Sequence, residues 1–207
     1  MAPDGTTRSD DNGCTVNDTC QDGVCVSGST KVCAPTDQCH LAGTCDVKTG
    51  LCTNPVAPDG TACGVGGNCV SGVCNAPPDC SKAVANPSEL WPPNHKFVNV
   101  SVTGVTDPDG DPAAITITGI TQDEPLNGLG DGDTCPDASG VGTAVASLRA
   151  ERSGTADGRV YHVSFTATDG RGGRCTGTAS VCVPHDQRPG HTCGDQGPLV
   201  NSTGPCN

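Results

Sequence analysis

The residues best placed for chemistry are carboxylates at alternate positions. In GVTDPDGDPAAITITG (104–119), Asp107, Asp109 and Asp111 are separated by Pro108 and Gly110. Calcium takes about six to eight oxygens, and alternating carboxylates in a Gly-bearing loop supply them without a preformed cavity. A second acidic stretch, TQDEPLNGLGDGDTCPD (121–137), offers Asp123, Glu124, Asn127, Asp131, Asp133 and Asp137. Two such loops at the ends of neighbouring strands are expected to converge on one structural calcium ion, with Asp169 as a further ligand. The same residue types are the default vocabulary of turns, and neither stretch has the twelve-residue EF-hand pattern. Metal seat and acidic turn both stay open.

Other chemistry is less well marked. The histidines are His40, His95, His162, His185 and His191, and none forms a His-x3-His or His-Glu-x2-His pair. A zinc enzyme is therefore not expected. His185-Asp186 in VPHD is a lone step of the kind found in surface turns. There is no Gly-x-Ser-x-Gly elbow, and GVGGN (64–68) is too short and too Cys-flanked for a phosphate loop. The expectation is a protein without catalysis.

The elements that must position these groups are set by cysteine. The 207 residues include 16 Cys, 29 Gly and 17 Pro, but one Trp, one Tyr and two Phe. So thin a core needs covalent staples. No Cys-x2-Cys knuckle occurs, so the cysteines read as disulfides rather than zinc ligands. The compartment is then oxidising, secreted or cell surface. MAPDGTTRSDD lacks the basic and apolar regions of a signal peptide. The disulfide reading implies that a leader was removed, and the chain is expected to be a fragment of a longer protein. No apolar run is long enough to span a membrane. A net charge of -12 argues against nucleic acid.

The chain changes character near residue 80. Ten cysteines crowd into residues 14–74: Cys14, Cys20, Cys25, Cys33, Cys39, Cys45, Cys52, Cys63, Cys69 and Cys74. This part repeats itself. APDGT occurs at 2–6 and 57–61, and CQDGVCVSG (20–28) echoes CVSGVCNAP (69–77). The copies are imperfect, with Arg8 opposite Cys63. Each unit is a short loop, a Gly turn and a Cys, so bridges replace a core. Cys80, Cys135, Cys175, Cys182, Cys193 and Cys206 remain for the second part. Each part has an even number and can close its own bridges, though pairing is not deducible from sequence.

After residue 80 the pattern is antiparallel β. KFVNVSVTGV (96–105) puts Val98, Val100 and Val102 on one face. AAITITGI (113–120) alternates Ile with Thr, and VYHVSFTATDG (160–170) puts Tyr161, Val163, Phe165 and Ala167 together. CTGTASVCV (175–183) closes the set, and TAVASLRAERSG (143–154), the one stretch that a helix could claim, reads as a strand among strands. Such strands and turns predict a sandwich. Trp91, in LWPPNHKF, is expected to cap a core short of aromatics. An accessible Trp91 would instead mark a surface that stacks on a sugar or peptide.

LWPPNHKFVNVSVTGVTDPDGDP, TQDEPLNGLGDGDTCPD, RAERSGTADGRVYHVSFTATDGRGG and VCVPHD together resemble an immunoglobulin-like module of bacterial secreted and surface proteins. VYHVSFTATDGRGG is also similar to the late-strand signature of polycystic-kidney-disease-type and cadherin-like domains. The first part resembles the DGT-x-C…C-x4-C repeats of bacterial extracellular proteins and, more loosely, disintegrin-like modules. The resemblance implies a spacer or recognition module outside the cell. Asn17, Asn99 and Asn201 head Asn-x-Ser/Thr acceptors, which a bacterial source would leave bare.

The expectation is therefore a mainly β, disulfide-rich protein in three parts. A disulfide-knotted repeat region covers 1–79, an antiparallel immunoglobulin-like β-sandwich 80–190, and a disulfide-pinned tail 191–207. Its expected role is structural or adhesive, stabilised by calcium, with extracellular matrix, a cell-surface protein, a polysaccharide or a second copy of itself as partner. The alternative is a carbohydrate- or peptide-binding accessory to a secreted hydrolase.

Overall fold

The computed structural model describes residues 5, 9–127, 129–132, 134–188 and 192–205. Asp133, Cys206, His191 and Arg8 lie outside the described residues, as do most of the first APDGT segment and the side chain of Cys20. The fold is mainly β and disulfide-rich, with no helix among the described residues. It follows that no helix is long and apolar enough to cross a membrane. The chain divides into two compact units, residues 1–75 and 76–207.

The first unit is built from short pairings. β1 (Thr15–Val16) pairs with β4 (Ser29–Thr30), and β2 (Thr19–Gln21) pairs with β3 (Val24–Val26). β5 (Ala62–Cys63), β6 (Gly67–Val70) and β7 (Val73–Asn75) form a three-stranded sheet. The repeat seen in sequence is a repeat of hairpins. Asp22-Gly23 and Ser71-Gly72 both take positive φ at both positions, the signature of a two-residue turn whose twist matches its strands. Each turn sets two cysteines opposite one another, Cys20 to Cys25 and Cys69 to Cys74. In the second hairpin the opposed cysteines do not bond to each other: Cys69 goes to Cys39 and Cys74 to Cys63. Cys14–Cys45 and Cys33–Cys52 complete the described bridges of this unit. Among the described residues of this unit the one apolar cluster is Cys39, Cys63 and Cys69 with Cys74 at its edge.

The second unit has two four-stranded antiparallel sheets. β8 (Val84–Asn86), β9 (Phe97–Thr103), β11 (Ala138–Ser139) and β12 (Val145–Arg149) lie in the order β11-β12-β9-β8. β10 (Ala114–Gln122), β13 (Gly158–Thr168), β14 (Arg174–Pro184) and β15 (Val200–Asn201) lie in the order β14-β13-β10-β15. Both sheets contribute to one core. Val100, Val102, Ala146 and Leu148 come from the first, and Ile117, Ile120, Tyr161, Val163, Phe165 and Val181 from the second. Cross-strand alternation explains these sets. A bulge between Ile117 and Gly119 explains why Ile117 and Ile120, three apart, are both buried. Cys80–Cys175 and Cys182–Cys193 are closed, and Cys135 is also disulfide-bonded. Six bridges are thus described at both ends, each within one unit.

Candidate functional site

The densest grouping of ionisable side chains lies at one end of the sandwich, around Arg159. β13 alternates, and its first inward position after Gly158 holds a guanidinium rather than an apolar group. Arg159 is fully buried. Its Nε donates to Glu124 Oε2 at 3.1 Å, and Nη1 donates to Asp137 Oδ2 at 2.7 Å and to Glu151 Oε1 at 3.2 Å. Nη2 is 3.7 Å from Asp131 Oδ2. Tyr161, two residues along the same face, accepts from Nη1 at 3.3 Å and donates to the Arg149 carbonyl at 2.8 Å. Gln122, the last residue of β10, donates to Asp137 Oδ2 at 2.7 Å. On the outer side Glu151 Oε2 accepts from Thr134 at 2.9 Å and lies 3.2 Å from His95 Nδ1.

Four buried carboxylates thus surround one guanidinium. Burying charge is costly unless it is paired and fully hydrogen-bonded. Here Glu124 Oε1, Asp137 Oδ1 and Gln122 Oε1 are buried without a hydrogen-bond partner among the described residues. The imbalance falls on Asp137. Burial, with the Glu151 carboxyl as neighbour, pushes Asp137 up to about 7, against the pull of Gln122 and Arg159. Burial also drives the Tyr161 hydroxyl above its ordinary value. Arg159 stays charged: burial favours loss of its proton, but Tyr161, Asp137 and Glu124 hold it above the usual range.

The first acidic loop is at the other end. Asp107 Oδ1 accepts from the backbone N–H of Asp109 at 2.9 Å and of Asp111 at 3.4 Å, which closes the turn on itself. Asp109 Oδ2 accepts from the Ala76 N–H at 2.5 Å. Asp111 Oδ2 lies 3.2 Å from Arg171 Nε. Asp169, just past β13, accepts from the N–H groups of Arg171 and Gly173 at 2.7 and 3.0 Å. Asp107 Oδ2 and Asp111 Oδ2 are buried without a hydrogen bond.

The expectation that the two acidic loops converge on one ion fails. Asp107–Asp111 precede β10 and Asp123 follows it, and β10 is nine residues long, roughly 30 Å at about 3.3 Å per residue. The structure gathers Glu124, Asp131 and Asp137 around Arg159, whereas Asp111 meets the Arg171 guanidinium, Asp169 the Arg171 N–H, and Asp107 only the N–H groups of its own turn. Asp123 belongs to neither set: its Oδ1 accepts from the Val160 N–H at 2.8 Å and its Oδ2 from Gln196 at 3.4 Å. Among the described residues the one group of three metal-ligating side chains within 4.8 Å of one another is Cys39, Cys63 and Cys74. All three sulfurs are in disulfides.

Trp91 does not cap the core. It is 44% exposed. Leu90 takes the inward position instead, its N–H bonded to the Cys182 carbonyl at 2.8 Å, and the next residue is thereby turned outward. Phe97, also exposed, lies 4.3 Å beneath the Arg149 guanidinium.

Arg159, Glu151, Gln122, Thr134 and His95 were not among the site residues read from sequence. One signal for Arg159 was present: extending the Tyr161 alternation back by one step places it on the buried face. No family model matches the chain, no curated protein is similar to it, and no solved structure matches it.

Proposed function

We propose that the chain is an extracellular, non-catalytic structural or adhesive module. The observation that carries this is the interior of residues 1–75, where cysteine sulfur stands in for a hydrocarbon core. Such a unit persists only where disulfides persist. The second unit fits an immunoglobulin-like sandwich that spaces or presents a surface, with its charged side chains engaged in holding loops. Calcium suits the Asp107 turn better than the Arg159 end. At the turn Asp107, Asp109, Asp111 and Asp169 would hold it, and the buried Asp107 Oδ2, which accepts no hydrogen bond among the described residues, supports that placement. The ion would add to the positive charge that Arg171 supplies to Asp111 at that end. At the other end Arg159 already occupies the centre of the carboxylates.

The test has two arms. Alkylation and intact mass measurement compare protein exported to an oxidising compartment with protein made in a reducing cytosol. Free thiols with full protease resistance in the cytosolic form would overturn the extracellular reading. Calorimetric titration of chelator-treated protein, with sedimentation in parallel, tests calcium and self-association. No heat at millimolar calcium removes the metal.

A second reading, a carbohydrate- or peptide-binding accessory module, is favoured by the exposure of Trp91 and Phe97. Glycan and peptide arrays with a Trp91→Ala control test it: binding lost in the variant supports the reading.

A further inference from the structure

The outer face of the β13–β14 pair carries a cleft of about 330 Å³ that neither acidic loop touches. Its floor is Val160 of β13 and Ser180 and Cys182 of β14, with Val160 directly opposite Cys182. One wall is Ser88 and Glu89, laid along β14 by the bonds from Cys182 N–H to Ser88 O at 2.9 Å and from Leu90 N–H to Cys182 O at 2.8 Å. The other wall is the tail, from which Thr192, Cys193 and Asp195 reach the cleft. The tail is fixed by Cys182–Cys193 and by His162, which is nine-tenths buried and holds Asp195 Oδ2 through Nε2 at 3.0 Å. His162 stands opposite Ser180 in the β-ladder.

The lining has a clear chemical bias. It offers two carboxylates, Glu89 and Asp195, and three hydroxyls, but no side-chain cation among the described residues. Between them lies an apolar strip, Val160 and the Cys182–Cys193 bridge. None of the aromatic side chains lines it, so the stacking face that sugar rings favour is missing. Asp195 is preset as a carboxylate: Gly197 N–H donates to Oδ1 at 2.7 Å, and the His162 bond and this backbone bond hold its pKa below the ordinary value. A ligand that satisfies this lining carries a positive, multiply donating head on an aliphatic arm.

We propose that this cleft binds a primary ammonium group on a short alkyl chain. Both a lysine side chain of a partner protein and a free aliphatic diamine present that chemistry. The proposal stands on the cleft alone and holds whatever the fate of the calcium or adhesion readings. Both carboxylates are open to solvent, so affinity is millimolar and falls with salt, as exposed ion pairs do.

The experiment is a ¹⁵N–¹H NMR titration of the full chain with N-acetyl-lysine amide, cadaverine and N-acetyl-norleucine amide, the last keeping the alkyl arm without the ammonium. The expected result is saturable shifts at Ser180, Cys182 and Thr192 with an amine and none with the norleucine analogue. Glu89→Gln, at an exposed position, weakens binding roughly three- to tenfold, and its spectrum elsewhere shows that it is folded. Tighter binding of N-acetyl-lysine amide than of cadaverine points to a protein lysine, and the reverse order to a free diamine. No shift with either amine up to about 100 mM, equal shifts with norleucine, or unchanged affinity in Glu89→Gln overturns the proposal.

Discussion

Asp137→Asn isolates the charge imbalance around Arg159. In the folded protein Asp137 titrates near 7 rather than at its ordinary 3.8, a displacement worth about 4 kcal/mol. Its folded value lies above its unfolded one. The stability it contributes is therefore full below pH 3.8 and is lost as pH rises through about 7. Asparagine mimics the protonated acid at every pH. Its Oδ1 accepts from Gln122 and Arg159 as Asp137 Oδ2 does now, and its amide can donate toward Glu151. The variant should equal the wild type near pH 4 and exceed it by up to about 4 kcal/mol at pH 8.5, roughly 10 °C in Tm. Trp91, Phe97, Tyr161 and Phe165 all belong to residues 76–207. Aromatic fluorescence during guanidinium unfolding thus reports this unit alone. Midpoints of the two proteins that run parallel from pH 4.5 to 8.5 would refute the reasoning.

Three further outcomes follow from the same structure. Arg159→Met leaves buried carboxylates unpaired and should cost roughly 3–5 kcal/mol at pH 8; Arg159→Lys recovers part of this, having the charge without the fork, and an unchanged unfolding midpoint in either contradicts it. Replacing Cys80 and Cys175 by Ala opens a closure spanning 95 residues and should cost about 4–5 kcal/mol, against about 3 for the 11-residue closure Cys63–Cys74; the reverse order in denaturant titrations would count against the chain-entropy argument. Gly104→Ala must hold φ near 81° with its methyl driven into the Lys82 carbonyl oxygen, so a loss of at least about 2 kcal/mol is expected, read by chemical unfolding and by faster amide exchange in β8.

What could be read from sequence was what period and turn chemistry encode. Alternation located β9, β10, β13 and β14, and the neighbouring strands and Gly-rich turns made the ambiguous stretch at 143–154 a strand, where β12 runs from Val145 to Arg149. The Asp-Gly and Ser-Gly steps encoded the hairpins. Disulfide pairing was not legible, because the opposed Cys69 and Cys74 each bond to a more distant partner. The Arg159 cluster draws on residues 122, 124, 131, 137 and 151, and only the packing of two sheets brings those segments together. Trp91 was misplaced because the core's shortage of aromatics suggested that it must be used there. Leu90 and the aliphatic strands fill that space instead. The acidic loops were found as residues, but their separation depended on the direction of β10, which composition does not carry.

The sulfur-built interior of residues 1–75 has a thermal consequence. The heat capacity of unfolding comes chiefly from apolar surface newly exposed to water. A unit whose apolar cluster is Cys39, Cys63 and Cys69 has little hydrocarbon to expose, so its free energy changes gently with temperature. The sandwich, with its Val, Ile, Leu, Tyr and Phe core, follows the steeper arc of an ordinary domain. The two halves of one chain therefore fail under different insults: the sandwich to heat, and the repeat region to electron donors.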